Sequence, residues 1–314
     1  MHFRLLRDLN IDFMSKRRVA VIGSLTAIGI CLLSMVFRGF NFGLDFTGGT
    51  VIELGYEQPV DLAQVRTALE KGNLPRATVQ YFGSSQDVLI RLAPEKDEEV
   101  SATLSDRVFR LLRKATDQKL ELRRVEFVGP QVGEELREDG GLAVLFSLIG
   151  ILIYVALRFE WRFAVGAVIA LIHDVLFTVG FFSLTQIEFD LPVLAAVLAV
   201  IGYSLNDTIV IFDRIRENFR KVRKGEVIDI INLSINQTLS RTIITSGTTL
   251  LVLLALFLFG GQSISGFSLA LIIGVVVGTY STIYVATAAV VMMGVSKADL
   301  MPVPKEGAGL DSLP

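Results

Sequence analysis

Asp174 and Asp207 interrupt long apolar runs of this 314-residue chain, and each is flanked by groups that can share or exchange a proton. A charged side chain near the centre of a bilayer costs on the order of 2.5–3.5 kcal/mol on insertion scales, so such residues face a protein interior and serve a purpose. Counted from Arg162, Asp174 lies twelve residues into its run, about 18 Å along a helix and close to midplane. Its neighbour is His173, an imidazole that can donate or accept a hydrogen bond. Asp207 lies sixteen residues beyond Leu191, about 24 Å along the next run. Tyr203 at i−4 and Ser204 at i−3 share its helical face, with Asn206 and Thr208 beside it. In the following run Arg241 precedes Thr245 at i+4 and Thr248 at i+7, so one face carries a cation and then hydroxyls. An Asp and an Arg on facing helices each lower the cost of burying the other, and protonating the Asp releases the Arg. Asp207 and Arg241 therefore read as a proton-operated switch, the alternative being that Arg241 snorkels to the interface.

The remaining polar signals are weaker. His173 and Asp174 fit a relay or a structural hydrogen-bonded pair equally well. Asp213, among Arg214 and Arg216, reads as a solvated helix end. Gly274 and Gly278 have the GxxxG spacing that lets helices approach closely. Cys31 is the lone cysteine, in an apolar run, and reads as inert packing. No phosphate-loop motif, metal-ligand spacing or nucleophile constellation occurs, so the expectation is no enzyme, no metal and no cofactor. Asn206, Asn232 and Asn236 open glycosylation-like triplets, but in a span or on the cytoplasmic side, where the matches are fortuitous.

These residues must be positioned by membrane helices. The chain is 52% hydrophobic and only 20% charged, with a mean hydropathy of +0.56. Its formal net charge of −2 gives no reason to expect nucleic acid as a partner. A core about 30 Å thick needs roughly 20 apolar residues as a helix. Six runs qualify: 19–37, 140–157, 163–184, 191–212, 242–260 and 266–294. Lys and Arg cluster before the first run (Arg4, Arg7, Lys16, Arg17, Arg18), between the second and third (Arg158, Arg162) and from Arg214 to Arg241, whereas 185–190 and 261–265 contain none. The positive-inside rule then places both termini, residues 1–18 and 295–314, in the cytoplasm, and 38–139 outside.

The outer segment alternates like a small α+β domain. Strands are expected at 51–56, 77–82, 87–92 and 120–128, and helices at 61–71 and 100–115, with a turn at Gly83-Ser84-Ser85. The order βαββαβ is that of the ferredoxin-like split βαβ unit. Between the fourth and fifth runs, residues 213–241 form a basic cytoplasmic loop. Within it Val227, Ile231, Ile235 and Leu239 recur every four residues, which predicts a helix over 226–240 lying at the membrane interface. The preceding Arg214–Lys224 stretch would suit anionic membrane lipids, or serve only as a topology signal.

Several strings have a family likeness. Asn41 to Thr50 (NFGLDFTGGT), Phe127 to Pro130 (FVGP), Arg158 to Arg162 (RFEWR), His173-Asp174, Gly202 to Asn218 (GYSLNDTIVIFDRIREN) and Ser240 to Thr249 (SRTIITSGTT) resemble the SecD/SecF family of protein-export membrane proteins. The resemblance covers about Arg38 to Gly294. It implies a place in the resistance-nodulation-division superfamily and a paralogous SecD partner whose six spans complete a pseudo-twofold bundle. It further implies work beside the SecYEG translocon, often with YajC, on an unfolded preprotein, in the bacterial inner membrane. The family's membrane Asp and Arg fall on Asp207 and Arg241, with Asp174 and Asp213 in supporting stretches; Phe212 stands where some relatives are polar. On both readings a proton neutralises Asp207, loosens it from Arg241 and repacks two helices, and the outer domain follows about a hinge at Gly48, Gly49, Gly129 and Pro130. A proton-coupled exporter of lipids or small molecules, or a scaffold indifferent to Asp207 and Arg241, are the rivals.

Overall fold

The computed structural model describes residues 10–72, 74, 77–93, 98–222 and 225–296, with side chains in its second domain helix from 104 onward. Arg4, Arg7, Arg223, Lys224 and the tail from 297 lie outside the described residues. Six helical segments are long and apolar enough to cross a membrane. They are α1 (Arg17–Phe37), α5 (Pro130–Arg158), α6 (Trp161–Thr185), α7 (Leu191–Lys221), α8 (Val227–Phe259), and α9 (Gln262–Ser281), which continues through a π-helical stretch at Thr282–Ala286 into α10 (Thr287–Met292). The six sort into two classes. About half of the apolar windows of α6, α7 and α9–α10 is buried inside the chain (50%, 50% and 56%), against 17%, 11% and 17% for α1, α5 and α8. The first three make the interior of the bundle; the others present Leu25, Phe37, Phe146, Leu157, Leu251 and Phe259 outward.

Between α1 and α5 lies the α+β domain. A short α2 (Leu44–Thr47) leads into β1 (Gly49–Tyr56), α3 (Leu62–Lys71), β2 (Thr78–Phe82), β3 (Ser84–Leu92), α4 (Glu98–Ala115) and β4 (Leu120–Val128). The sheet order is β2-β3-β1-β4 with every neighbour antiparallel, the topology expected of the split βαβ unit. Ile52, Leu54 and Tyr56 of β1 with Val88, Ile90 and Leu92 of β3 meet Val65 and Leu69 of α3 and Leu104, Val108 and Leu112 of α4. Val51 and Leu89 point the other way, onto Leu44. Both faces of the central strands are thus covered, which is why β1 is apolar almost throughout. The β2–β3 turn is tighter than expected: Gly83 at φ +80° carries it, and β3 begins at Ser84.

Two aspects of the helices differ from the sequence reading. The stretch expected to lie separately on the membrane surface is the first half of α8, one unbroken 33-residue helix. The reason is burial: Ile230, Ile231, Ser234, Ile235, Thr238 and Leu239 are covered by protein rather than lipid, and Asn218 of α7 donates to Ser234 (2.8 Å) and Gln237 (3.0 Å). At 1.5 Å per residue α7 and α8 exceed the roughly 30 Å hydrocarbon core, so they project beyond it as a hairpin. Asn232 and Asn236 hold the segment before α1. Asn236 accepts from Ile11 N and donates to Ile11 O, both at 2.9 Å, and Asn232 accepts from Met14 N at 3.0 Å.

Two of the four positions expected to form a hinge, Gly48 and Pro130, are in close contact, whereas a Cβ on Gly129 would meet nothing within 4 Å. Gly48, at φ +67° and ψ 174°, packs so tightly that an added Cβ would lie 2.8 Å from Pro130 Cα. A Cβ on Gly133 would lie 2.9 Å from Gly48 N. The chain entering the sheet and the chain leaving it therefore touch, and Gly49 pairs with Val128. Gly48→Ala is expected to cost about 1–3 kcal/mol from backbone strain alone, read as a lower thermal midpoint and faster proteolysis at the domain boundary.

The α6–α7 turn joins this contact. Phe189 N and O bond Asn41 O and Gly43 N at 2.8 Å each, Glu188 pairs with Arg91 of β3, and Phe40, Phe42, Phe46, Phe182 and Phe189 form a cluster with ring centroids 5.4 to 6.2 Å apart. Asp190 caps α7 by accepting from Val193 N at 2.9 Å. Burial, with the charges of Glu188 and Asp45, holds its carboxyl above the ordinary 3.8 despite that bond. The folded chain keeps this proton to higher pH than the unfolded chain does, so the contribution is favourable below 3.8 and is lost as pH rises through the raised value. Asp190→Asn caps equally well and cannot ionise. Its thermal midpoint at pH 7 is expected above the parent's, the gap closing as pH falls towards 3.8.

Candidate functional site

Asp174 of α6 is fully buried where α6, α7 and α9 meet. Its Oδ2 accepts from the hydroxyls of Ser204 on α7 and Ser281 on α9, the latter at 2.8 Å, and its Oδ1 lies 2.9 Å from His173 Nδ1. Both carboxylate oxygens are therefore satisfied, by side chains from three helices. The ring of His173 borders an apolar cavity of about 330 Å³ between α1, α6 and α9, lined also by Ser24, Phe177 and Tyr280. Tyr280 ties α9 to α1 through Ala20 O (2.9 Å) and Ser24 (3.1 Å). One residue past Ser281 the helix widens into its π-helical stretch, where Thr282 meets Thr208 at 2.9 Å. Such stretches need a local reason to persist, and here the side-chain bonds on both sides supply one.

Asp207 contrasts with Asp174. It is 4% exposed, on the α7 face towards α8, and its Oδ2 is buried with no hydrogen-bond partner among the described residues. Tyr203 Oη and Thr242 Oγ1 are also buried without partners. The groups of α8 that bear on the carboxylate are Ser246 and Arg241. No ion pair within 4 Å joins Asp207 to Arg241, which is on an exposed face of α8. The expected switch pair is thus not closed in this structure, because the stripe of α8 turned inward runs through Thr238, Thr242 and Ser246 rather than through Arg241. Thr245 and Thr248 lie on the outer stripe and return their hydroxyls to their own helix, at Arg241 O (3.0 Å) and Ile244 O (2.8 Å). Asn206 is exposed. Asp213 is half exposed and paired with Arg158 (2.6 Å) and Arg216 (3.7 Å), away from both buried carboxylates.

The structure therefore brings together His173, Asp174 and Ser204, with Tyr203 next to Ser204 and Asp207 one turn along; Arg241 bears on Asp207 without an ion pair, and Thr245, Thr248, Asn206 and Asp213 lie apart from the buried groups. Sequence reasoning missed Ser246 and Ser281. Both had a signal. Ser281 continues the small-residue stripe Gly274, Gly278 at i+7, and Ser246 continues Ile235, Leu239, Thr242 at helical spacing. Gly278 opposes the centre directly: a Cβ there would lie 3.1 Å from Ser204 Oγ and 3.5 Å from Asp174 Oδ2. Among the described residues no cluster of three His, Cys, Asp or Glu could hold a metal.

Residues 108–296 match the family model described as protein export membrane protein SecD/SecF, C-terminal, and residues 33–60 match the SecD/SecF GG motif. The chain is 53% identical over 315 residues to the protein translocase subunit SecF of Vibrio alginolyticus, covering 99% of this chain and 100% of that one. It is 52% identical to that of Pseudomonas aeruginosa, covering 93% and 94%. The fold is similar to the crystal structure of SecDF, a translocon-associated membrane protein from Thermus thermophilus, with a TM-score of 0.82 and 40% identity; the match covers 93% of this chain and 39% of that one. A second SecDF crystal structure, in a super-membrane-facing form, matches with a TM-score of 0.68 over 91% of this chain and 39% of that one.

Proposed function

The chain belongs to the SecD/SecF family of protein-export membrane proteins, and from that premise we propose that it is an accessory subunit of the Sec protein translocase, coupling the proton-motive force to completion of preprotein export. Its partner on this reading is a SecD-type paralogue, since the solved SecDF chain is more than twice as long as the part this chain matches. The location is the inner membrane, with both termini cytoplasmic and the α+β domain periplasmic, supported by the Lys and Arg at the α5–α6 and α7–α8 turns and their absence from 185–190. SecYEG and YajC are further expected partners, and an unfolded preprotein the substrate.

The observation that carries the reading is Asp207: a carboxylate buried in a span with one oxygen unpartnered. Burial without a partner is costly for the charged form, so a proton at this atom relieves it. Proton loss draws the side chain towards Ser246 and the Arg241 guanidinium, and proton gain releases it, so α7 and α8 have two arrangements. Arg241, on the outer stripe, turns inward in the first. Asp174 is the positioning residue, holding α6, α7 and α9 in register while α8 responds. A unit charge crossing 100 mV supplies about 2.3 kcal/mol, enough to bias a two-state element about 50-fold. The domain follows through the contact of Gly48 with Pro130 and through Arg91–Glu188.

A lipid or small-molecule exporter is favoured by one observation, a cleft of about 570 Å³ between sheet and bundle. Its wall mixes Leu44, Val51, Phe82 and Leu89 with Arg91, Glu188, Asp45, Asp190, Arg124 and Glu126, and these charges would have to be desolvated by a lipid. The test is preprotein translocation in vesicles containing this chain with its SecD-type partner, with and without a proton gradient. A gradient-dependent increase over vesicles lacking the pair supports the proposal, and equal export in both overturns it.

A further inference from the structure

At the end of the bundle opposite the α+β domain, the last residue of α5 and the last turns of α7 enclose a cavity of about 470 Å³ lined by Arg158, Asp213, Arg216, Glu217, Arg220 and Lys221. Every lining side chain is charged, four positively and two negatively. The two carboxylates are already engaged: Asp213 by Arg158 and Arg216, Glu217 by Arg214 (2.8 Å) and Lys221 (2.5 Å). The lining carries two more positive than negative side chains. Arg216, whose Nη2 lies 4.0 Å from Glu160 Oε1, has a buried Nε with no acceptor among the described residues, a donor position that an anionic oxygen would satisfy. The guanidinium groups of Arg158 and Arg216 sit 5.0 and 5.6 Å from the centre of the same Phe159 ring, which holds both planar forks against one aromatic side chain.

The surroundings identify the ligand class. Leu157 (85% exposed), Trp161 (60%) and Tyr154 (49%) turn outward beside the cavity, an apolar wall and an aromatic pair of the kind found at headgroup level. A soluble acidic protein would have no use for that wall. We propose that this cavity binds the phosphate of an anionic phospholipid headgroup, the acyl chains lying along Tyr154 and Leu157. Arg216 with Arg220 and Lys221 would hold the phosphate, and Arg158 would divide its donors between it and Asp213.

The test uses the chain with its SecD-type partner in nanodiscs of phosphatidylcholine containing a minor fraction of photoactivatable phosphatidylglycerol, with labelled peptides identified by mass spectrometry. Saturable labelling of the α5–α6 turn and residues 213–221 is expected, falling about tenfold in Arg216→Gln/Arg220→Gln and less in Arg216→Lys, while Lys71→Gln, in the α+β domain, leaves it unchanged. Inorganic phosphate in excess forms the second arm. Labelling that persists in it identifies a lipid site; labelling that it abolishes assigns the cavity to free phosphate and overturns the lipid proposal. Equal labelling of the parent and the double variant, both folded by thermal melting, also overturns it.

Discussion

Asp207→Asn abolishes the gradient-dependent part of export while leaving the thermal midpoint of the complex at or above the parent's, and Asp174→Ala does the reverse first, lowering the midpoint before any question of coupling arises. The two carboxylates are both buried and belong to neighbouring helices, so burial alone does not separate them. Hydrogen bonding does. Asp207 has one orphaned oxygen among the described residues, and an amide of the same size removes a charge whose buried Oδ2 has no partner. What the variant loses is the bias of about 2.3 kcal/mol per 100 mV that a titrating group draws from the membrane potential. Asp174 has three side-chain partners, and truncation leaves Ser204, Ser281 and His173 without theirs. Each orphaned polar group costs about 1–3 kcal/mol, partly relieved by rotation of the hydroxyls, so a loss on the order of 3 kcal/mol is expected. Thermal melting and gradient-dependent export on the same preparations separate the roles. If Asp207→Asn destabilised the complex and exported normally, the assignment of Asp207 as the titrating group would be wrong.

The same contrast shows what the sequence could reveal. An apolar run of about 20 residues has one structural solution in a bilayer, so six helices follow from composition, and alternation with helical spacing in 49–128 yields βαββαβ in the correct order. Individual membrane polar residues are also conspicuous, because hydrocarbon makes each an exception. Their pairing is not. Whether α8 turns Arg241 or Ser246 towards Asp207 is a rotation of about half a turn, and that is decided by the inward stripe from Ile230 to Ser246, whose part up to residue 240 the sequence places in a separate surface helix. Once that stripe is extended through the span, Ser246 is its next member. The π-helical stretch at Thr282–Ala286 has no periodicity to reveal it, since one extra residue per turn arises from tertiary bonds such as Thr208–Thr282. The docking of 185–190 on 41–46 was hidden for a similar reason: Phe189 and Asn41 are far apart in sequence and joined by backbone bonds that any residues could make.

Gly274→Ala is expected to lower stability by about 2 kcal/mol and to reduce export with it. A Cβ at this position would stand 2.1 Å from Cγ2 and 2.7 Å from Cγ1 of Val200, which is itself buried on α7, so no rotation of that β-branched side chain within its tight site clears both. The helices must part. Val200 is one turn before Ser204 and two before Asp207, so parting α7 from α9 here pulls Ser204 off Asp174 and moves Asp207 against α8. Gly278→Ala meets softer neighbours, with Ser204 Cβ and Oγ at 3.1 Å, and its stability loss is expected to be smaller. The partly compensating change is Val200→Ala, which removes both clashing methyls but keeps the Cβ at 2.9 Å, at the expense of a small cavity in the parent background. Combined with Gly274→Ala it is expected to recover much of the midpoint and of export together, with a coupling of about 1–3 kcal/mol in the double-mutant cycle. Additive losses would show that Gly274 acts through some contact other than Val200. Recovery of stability without export would show that the α7–α9 spacing, rather than stability as such, sets the position of Asp207.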